Sequence, residues 1–242
     1  MSGRRTLIAA AAVLAFVAGN ADAQNRGGAP APVRTARQSA PIDLTGYWVS
    51  FVTEDWRFRM ITPPKGDYNR VPLTPEGRKV ADGWDPAADQ AAGNQCKAYG
   101  AAAIMRVPGR FHITWQDDNT LRVDSDAGTQ TRVFHFSPSE PPGERTWQGH
   151  STAEWDATRS LKVVTANMRA GYLRRNGVPY SEDATVTEYF DVAPHPDGGQ
   201  LLVVTTIVDD PRFLQRPFIV SSHFKQEKDG SKWNAVPCSA TW

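Results

Sequence analysis

From residue 42 onward the chain repeats one pattern, in which a run of alternating or β-branched residues is followed by a polar turn and a second run. Such runs predict strands, because successive side chains of a strand point to opposite faces. The turns contain Asp-Gly, Gly-Gly or Asn, which supply the positive φ values of tight hairpins. The runs span residues 42–53, 57–61, 104–116, 121–124, 131–136, 147–156, 161–168, 184–192, 201–208, 218–226 and 233–236.

One short helix is predicted near residues 74–82. Thr74, Pro75 and Glu76 place a capping hydroxyl, a first-turn proline and an acid in the order that starts helices. Elsewhere, hairpins without helical crossovers make neighbouring strands antiparallel. The closure that leaves the fewest edges exposed is a meander barrel. The pattern therefore predicts an all-β protein, an antiparallel barrel of about ten strands.

The first 23 residues have the three parts of a secretory signal peptide. Arg4 and Arg5 form the positive start, residues 7–18 are apolar, and residues 21–23 have the small-x-small form of a cleavage site. The apolar run is shorter than the roughly 20 residues of a membrane span, so no span is predicted. Cleavage after Ala23 predicts a periplasmic or secreted protein, exported by either the general secretory or the twin-arginine route.

The mature chain divides into a leader and one domain. Residues 24–41 are rich in Gly, Ala, Pro and Arg, which predicts a disordered leader. Residues 42–242 carry 22 basic and 25 acidic side chains, so this domain lacks the basic surface that nucleic acids require. About 200 residues suit a single β-domain with a substantial core.

Cys96 and Cys238 are the two cysteines of the chain. In an exported protein such a pair favours a disulfide, which here would close a loop over most of the domain. The alternative is two separate thiols, one of them reactive, although neither lies in a CxxC motif.

Gly46-Tyr47-Trp48 on the first predicted strand resembles the GxW signature of the lipocalins. In that family the Trp plugs the closed end of a barrel that carries small apolar ligands. The resemblance implies a lipocalin- or calycin-like barrel, with Trp48 at its closed end. Trp48 as an ordinary core aromatic is the alternative.

The domain also resembles, along most of its length, a family of uncharacterised exported bacterial proteins. The shared motifs are LTGxW at 44–48, PLTPEG at 72–77, TWxGHS at 146–151, GxPxSE at 177–182, (D/E)DP at 209–211 and the two cysteines. That family has no established activity, so the resemblance implies the fold and the compartment rather than a reaction. The family's Trp-Glu-Gly-Asp turn is Trp-Asp-Ala-Thr at residues 155–158, which puts a role for the turn acid in doubt.

His150 is the first candidate for proton transfer. On its predicted strand it shares one face with Thr152, Glu154 and Asp156. If this face lines a cavity, His150 and Glu154 make an acid–base pair. If it faces water, they are ordinary solvated side chains.

Three further carboxylates are candidates. Glu188 lies between two apolar residues on one face, so it is either paired with an arginine or lines a cavity, where burial would raise its pKa. Asp209 and Asp210 point to opposite faces, so at most one of them can look inward, and Asp210 is the candidate, with capping of a turn as the alternative role. Glu182 lies in a loop that is predicted to close over a barrel mouth.

The spacing of the remaining residues predicts neither a metal site nor a cofactor. The five histidines include no HxH or HExxH pair. There is no GxSxG nucleophile elbow and no Gly-rich phosphate loop after a strand.

Aromatic side chains accompany most of the predicted strands. Flat rings that line a barrel suit a flat apolar or aromatic ligand or a glycan, and they equally suit a plain hydrophobic core. The residues predicted to contact a ligand are Trp48, Trp115, Trp147, Tyr189, Phe224 and Glu182.

Three functions are compatible with these patterns. The first is a periplasmic lipocalin-like protein that binds a small, largely apolar or aromatic molecule inside the barrel. The second is a cofactor-independent isomerase, lyase or hydrolase that uses His150 with Glu188, Glu154 or Asp210. The third is a structural or partner-binding envelope protein with a filled barrel. The enzyme hypothesis requires that His150 and Glu188 face one cavity, and the other two hypotheses do not. The oligomeric state stays open.

Overall fold

The computed structural model describes residues 33–136 and 142–241. The predicted signal peptide, its cut after Ala23 and the first part of the predicted leader lie outside the described residues. Residues from Arg34 onward form one compact unit. In the described part of the chain, no helix is long and apolar enough to cross a membrane.

The described residues contain thirteen strands, three α-helices and two 3₁₀ helices. The strands are β1 (Gly46–Ser50), β2 (Arg110–Asp117), β3 (Thr120–Ser125), β4 (Ala127–Gly128), β5 (Gln130–His135), β6 (His150–Trp155), β7 (Leu161–Ala166), β8 (Gly171–Arg174), β9 (Val178–Tyr180), β10 (Thr185–Pro194), β11 (Gln200–Asp209), β12 (Phe218–Glu227) and β13 (Val236–Pro237). The helices are α1 (Trp56–Arg59), α2 (Pro75–Asp82) and α3 (Pro86–Ala91), and the 3₁₀ helices are Lys97–Tyr99 and Ile104–Arg106.

Nine strands close into a barrel in the order β1-β12-β11-β10-β7-β6-β5-β3-β2. The prediction of an all-β barrel is therefore confirmed. The other four strands form two small sheets, β8 with β9 and β13 with β4. Hairpins join β2 to β3, β6 to β7 and β10 to β11, which accounts for the turn signals in the sequence.

The prediction of a purely antiparallel barrel needs one correction. β5 and β6 pair in parallel, with Phe134 opposite Ser151 and His135 opposite Thr152. The two strands therefore run in the same direction, and a hairpin cannot join them.

The segment between β1 and β2 also differs from the prediction. Residues 57–61 were expected to form a strand, but Trp56–Arg59 is the short helix α1, and Ile104–Arg106 is a 3₁₀ helix rather than the start of a strand. Asp55 has φ 51° and ψ 26°, the left-handed region, which turns the chain away from β1. A short apolar run forms a strand only where a neighbouring backbone can bond to it, and here there is none to pair with among the described residues.

Helix α2 confirms the predicted helix near residues 74–82. Thr74 caps it, since its Oγ1 accepts a hydrogen bond from the Gly77 amide at 3.0 Å, and Pro75 occupies the first turn. Gly77 is required there, because a Cβ atom would lie 2.6 Å from the Phe213 carbonyl oxygen. These local signals act over four residues and were visible in the sequence alone.

Two hydrophobic clusters fill the barrel and its end. The first lies at the end of the barrel where β2 turns into β3 and β6 turns into β7. We call this the leader end, because residues 34–41 contact it. The second lies where β10 and β12 begin, which we call the helical end, since the segment between β1 and β2 packs there. In the first cluster the buried rings are Trp48, Phe111, Phe134, Phe190 and Phe224.

A layer of polar side chains crosses the barrel between the clusters. Arg132 on β5 reaches Glu188 on β10 with two hydrogen bonds, Nη1 to Oε1 at 3.1 Å and Nη2 to Oε2 at 2.5 Å. Arg132 Nη2 also lies 3.3 Å from Thr165 Oγ1, and Ser151 Oγ lies 2.7 Å from that hydroxyl. β5 and β10 are separated by two strands in the barrel order, so the pair spans the interior. Glu188 is thus paired with an arginine, one of the two roles the sequence left open.

Residues 34–41, placed in the leader by composition, lie against the leader end of the barrel. The Ala36 amide donates to Asn119 Oδ1 at 2.9 Å, and the Arg37 amide donates to the Asp118 carbonyl at 3.0 Å. The indole of Trp155 donates to the Ala36 carbonyl at 2.8 Å. Two of the barrel's turns therefore hold this segment in place.

Cys96 and Cys238 form a disulfide, which confirms the predicted pairing. The bond joins residues 142 positions apart and ties the C-terminal segment to the turn before the first 3₁₀ helix. Beside it, β13 pairs in parallel with β4. A disulfide of this kind fits an oxidising compartment outside the cytoplasm.

Replacing Arg132 by Met leaves the Glu188 carboxylate buried without its counter-charge. We expect the free energy of unfolding to fall by about 3–5 kcal/mol, measured by urea denaturation. The double variant Arg132→Met/Glu188→Leu is expected to recover most of that loss, because a buried ion pair contributes little net stability over apolar side chains.

The matched control for this pair is Lys162→Met. Lys162 Nζ lies 2.8 Å from Glu154 Oε1 on the outer surface, where Glu154 is 64% exposed. A much smaller loss is expected there, because water screens exposed pairs. Equal losses in the Arg132 and Lys162 variants would contradict the burial of the internal pair.

Removal of the disulfide in Cys96→Ser/Cys238→Ser is expected to lower the free energy of unfolding by about 5 kcal/mol, from the loop-entropy relation for a 142-residue separation. The wild-type protein in excess reductant should lose a similar amount, which controls for the serine side chains. Identical urea midpoints with and without reductant would show that the bond does not form.

Candidate functional site

The residues predicted to catalyse proton transfer do not converge. On β6, Ser151 and Ala153 are buried while Thr152 and Glu154 are exposed, so the face that carries His150 looks outward. Glu188 lies inside the barrel. The barrel wall therefore separates the histidine from this carboxylate, and Glu154 is paired with Lys162 on the outer surface.

His150 stacks on His135 outside the barrel. The ring centroids lie 5.3 Å apart with an interplanar angle of 15°. Burial lowers the pKa of His135, and the neighbouring His150 lowers it further, while Asp117 opposes the shift. This arrangement places two imidazoles together on the outer surface, on the opposite side of the barrel wall from Glu188.

Asp210 is fully buried and caps the turn after β11. Its carboxylate accepts hydrogen bonds from the Ser181 amide at 2.6 Å and hydroxyl at 2.8 Å. It also accepts from the amides of Arg212 at 2.9 Å and Phe213 at 3.2 Å. With four donors engaged, Asp210 joins the loop after β9 to the turn after β11, which is the capping role that the sequence left open.

Two of the predicted ligand contacts are core residues. Trp48 and Phe224 are fully buried in the leader-end cluster, and the Trp48 indole donates to the Leu44 carbonyl at 2.9 Å. Phe224 meets Phe111 edge to face at 5.2 Å between centroids. Phe134 and Phe190 form a second such pair across the interior at 5.5 Å. Here the rings fill the barrel by packing against one another.

The other predicted ligand contacts lie apart. Trp115 packs beside Phe136 at 5.5 Å, and Trp147 lies under the Arg169 guanidinium at 4.2 Å. Tyr189 points outward, since its neighbours on β10 are buried inside. Glu182 is 56% exposed, 3.7 Å from Arg145. These four side chains therefore contact different neighbours in different parts of the domain.

A hollow of about 510 Å³ lies on the outer face of the barrel, between its strands and the C-terminal segment. We call it the aromatic groove, because rings from β1, β2 and the C-terminal segment border it. Its lining residues are Tyr47, His112, Arg122, Asp124, Ser125, Thr129, Gln130, Thr131, Gly230, Trp233 and Ala235.

Strand register positions the rings of the aromatic groove. Tyr47 on β1 lies directly opposite His112 on β2, and the two rings stack at 4.0 Å with an interplanar angle of 3°. Trp233 meets them edge on, at 6.2 Å from Tyr47 and 6.4 Å from His112. Gly230 lets the C-terminal turn approach, since a Cβ atom there would lie 2.7 Å from the Tyr47 ring.

A fixed ion pair forms the polar side of the aromatic groove. Arg122 binds Asp124 through two hydrogen bonds of 2.8 Å, and Thr131 donates to the same carboxylate at 2.6 Å. Burial raises the pKa of Asp124, but the hydrogen bonds from Arg122 and Thr131 outweigh it and hold the pKa below its ordinary value. The carboxylate is therefore ionised at neutral pH, and the groove offers charged and hydroxyl groups beside its rings.

Sequence reasoning missed the residues of this groove. Alternation along β1 implied that Tyr47 points away from the core, because Trp48 points into it. The pairing of β1 with β2 and the return of the C-terminal segment to their outer face could not be inferred. Trp233 was visible only as a strand residue.

Among the described residues, no three His, Cys, Asp or Glu side chains are grouped so that they could hold a metal ion. In comparisons with known proteins, no family model matches the sequence, and no curated protein or solved structure matches it either.

The stacked histidines make a pH-dependent prediction. Substitution His150→Gln removes the neighbouring imidazole that lowers the pKa of His135, so we expect that pKa to rise, as measured by NMR titration of the imidazole resonances. Because the pKa of His135 in the folded state lies below its ordinary value of 6.5, protonation disfavours the fold. The free energy of unfolding therefore falls as the pH drops from 6.5 towards the folded-state pKa. His195→Gln, on the turn between β10 and β11, is the control and should leave the pKa of His135 unchanged. An unchanged value in His150→Gln would contradict the coupling of the two rings.

Proposed function

We propose that this chain is an exported β-barrel binding protein that holds a small molecule in the aromatic groove. The observation that carries the proposal is the groove itself, in which three rings of fixed mutual geometry border a hollow of about 510 Å³ beside a bidentate ion pair. Concave sites with apolar walls and a few fixed polar groups are where small ligands bind.

The lining indicates the chemistry of the ligand. The rings of Tyr47, His112 and Trp233 can pack against a ligand that has a flat apolar face. Arg122 and Asp124 offer a donor and an acceptor to hydroxyl or amide groups at the edge of such a surface. A phenolic compound or a sugar ring meets both requirements, and the groove residues carry both charge signs, which favours a neutral ligand.

This proposal keeps the lipocalin-like binding role and moves the ligand to the outside of the barrel. The packed rings of Trp48, Phe111 and Phe224 support that placement, because they occupy the interior at the leader end. The separation of His150 from Glu188 favours binding over proton-transfer catalysis. The Cys96–Cys238 disulfide supports a periplasmic or secreted location.

The test is a binding screen with a Trp233→Ala variant. Isothermal titration of the wild-type protein with a panel of neutral saccharides and phenolic compounds is expected to give a saturable ligand. Trp233→Ala should bind it at least about tenfold more weakly, which corresponds to about 1.4 kcal/mol. His112→Leu removes a groove ring without touching the C-terminal segment, and it should weaken binding in the same direction.

The matched control is Trp56→Ala. Trp56 is 64% exposed and lies on α1, outside the groove lining. Its removal should leave the affinity unchanged. If no compound of the panel binds, or if the Trp233 and Trp56 variants bind equally well, the groove is not the ligand site.

A further inference from the structure

Three buried arginines lie together at the helical end of the domain. Arg59 on α1, Arg106 on the second 3₁₀ helix and Arg174 on β8 have side chains that are 0%, 5% and 1% exposed. Arginine is rarely buried in this way unless its charge is matched. Three elements that are distant in sequence thus bring three guanidinium groups into one place.

The carboxylates at this cluster are fewer than the guanidinium groups. Arg106 Nη2 lies 2.7 Å from Asp55 Oδ2, and Arg174 Nη2 lies 3.7 Å from the same oxygen. Arg59 pairs with the neighbouring Glu54. At the outer edge, Arg70 Nη1 lies 3.7 Å from Asp55 Oδ1. Asp55 is therefore shared among three arginines.

Several buried donors of the cluster have no hydrogen-bond partner among the described residues. They are Nη2 of Arg59, Nη1 of Arg106, and both Nε and Nη2 of Arg174. A guanidinium group offers five N–H donors in a planar fork that fits the oxygen atoms of a carboxylate or a phosphate. The unpartnered donors are of the kind that such an anion satisfies.

Mutual repulsion within the cluster agrees with this geometry. Burial lowers the pKa of Arg174 to about 10 and the nearby Arg106 lowers it further, while Asp55 and Asp67 oppose the shift. With Arg57 and Arg70 included, five guanidinium groups meet three carboxylates here, which are Glu54, Asp55 and Asp67. An additional anion would relieve the imbalance.

A hollow of about 470 Å³ lies beside the cluster, and its lining includes Asp55 but none of the three buried arginines. Three of its lining residues, Asp55, Phe58 and Asn69, contact Arg174. The Arg174 guanidinium lies 4.0 Å from the Phe58 ring centroid, and its Nη1 donates to the Asn69 carbonyl at 2.7 Å. The more exposed Arg57 and Arg70 stand at the wall. The hollow shares no residue with the aromatic groove.

We propose that this hollow is a binding site for a small carboxylate- or phosphate-bearing molecule, and that the Asp55 side chain is the resident substitute for its anionic group. The entering anion takes the donors of Arg106 and Arg174 that now face Asp55, and Arg57 and Arg70 contact it from the wall. The site is independent of ligand binding in the aromatic groove.

The experiment compares anion binding by the wild-type protein and by Asp55→Asn. Inorganic phosphate and succinate are titrated separately by isothermal calorimetry, at constant ionic strength balanced with chloride. We expect saturable binding of at least one of them to the wild-type protein, and at least tenfold tighter binding to Asp55→Asn, because the competing carboxylate is gone. The preferred anion distinguishes a phosphate site from a carboxylate site.

Two further variants keep the test decisive. Arg70→Gln removes a 78% exposed arginine, so the fold should persist while the anion affinity falls several-fold. Asp197→Asn, which removes a 73% exposed carboxylate elsewhere, should bind as the wild-type protein does. The site is ruled out if neither anion binds saturably to the wild-type protein or to Asp55→Asn, or if Asp197→Asn tightens binding as much as Asp55→Asn.

Discussion

The barrel closes around buried aromatic rings that pack along its axis. Trp48, Phe111, Phe134, Phe190 and Phe224 come from five different strands and meet in one cluster. Each points inward because alternation leaves its neighbours on the outer face. Closure of nine strands around these rings removes the sheet edges and at the same time occupies the interior, so the surfaces that remain for ligands are the outer wall and the helical end.

The buried Arg132–Glu188 pair fits into this arrangement as a second interior element. Its two charges satisfy each other between two apolar clusters, and Thr165 and Ser151 extend the hydrogen bonds to the barrel wall. A pair of this kind is weak support for stability as such, yet it is costly to break. It requires strands β5 and β10 to keep their positions across the barrel, so it favours one arrangement of the strands over its alternatives.

Features that depend on neighbouring residues were predictable from the sequence, and features that depend on distant strands were not. Helix α2 follows from Thr74 and Pro75, which act within one turn. One long-range feature was also predictable, because two cysteines together with a predicted export signal favour a disulfide. The partner of Glu188 did not follow, because β5 is not a neighbour of β10 in the barrel.

The candidate sites were harder to predict for the same reason. The polar face of β6 was evident in the alternation around His150, but the alternation does not state whether that face looks inward. The aromatic groove needs the register of β1 with β2 and the return of the C-terminal segment, which the Cys238 disulfide anchors. The arginine cluster joins residues 59, 106 and 174, and short runs between residues 51 and 109 did not indicate how that segment folds.

If the protein's own side chains fill the leader end of the barrel, no ligand can bind inside it there. Methyl NMR under increasing xenon pressure measures this filling, because xenon enters dry apolar cavities that are large enough to hold it. We expect no saturable shift for the methyl groups of Val163, Leu202 and Val204, which lie in the leader-end cluster. A saturable shift at these methyl groups would reveal an internal cavity where the packed rings leave none.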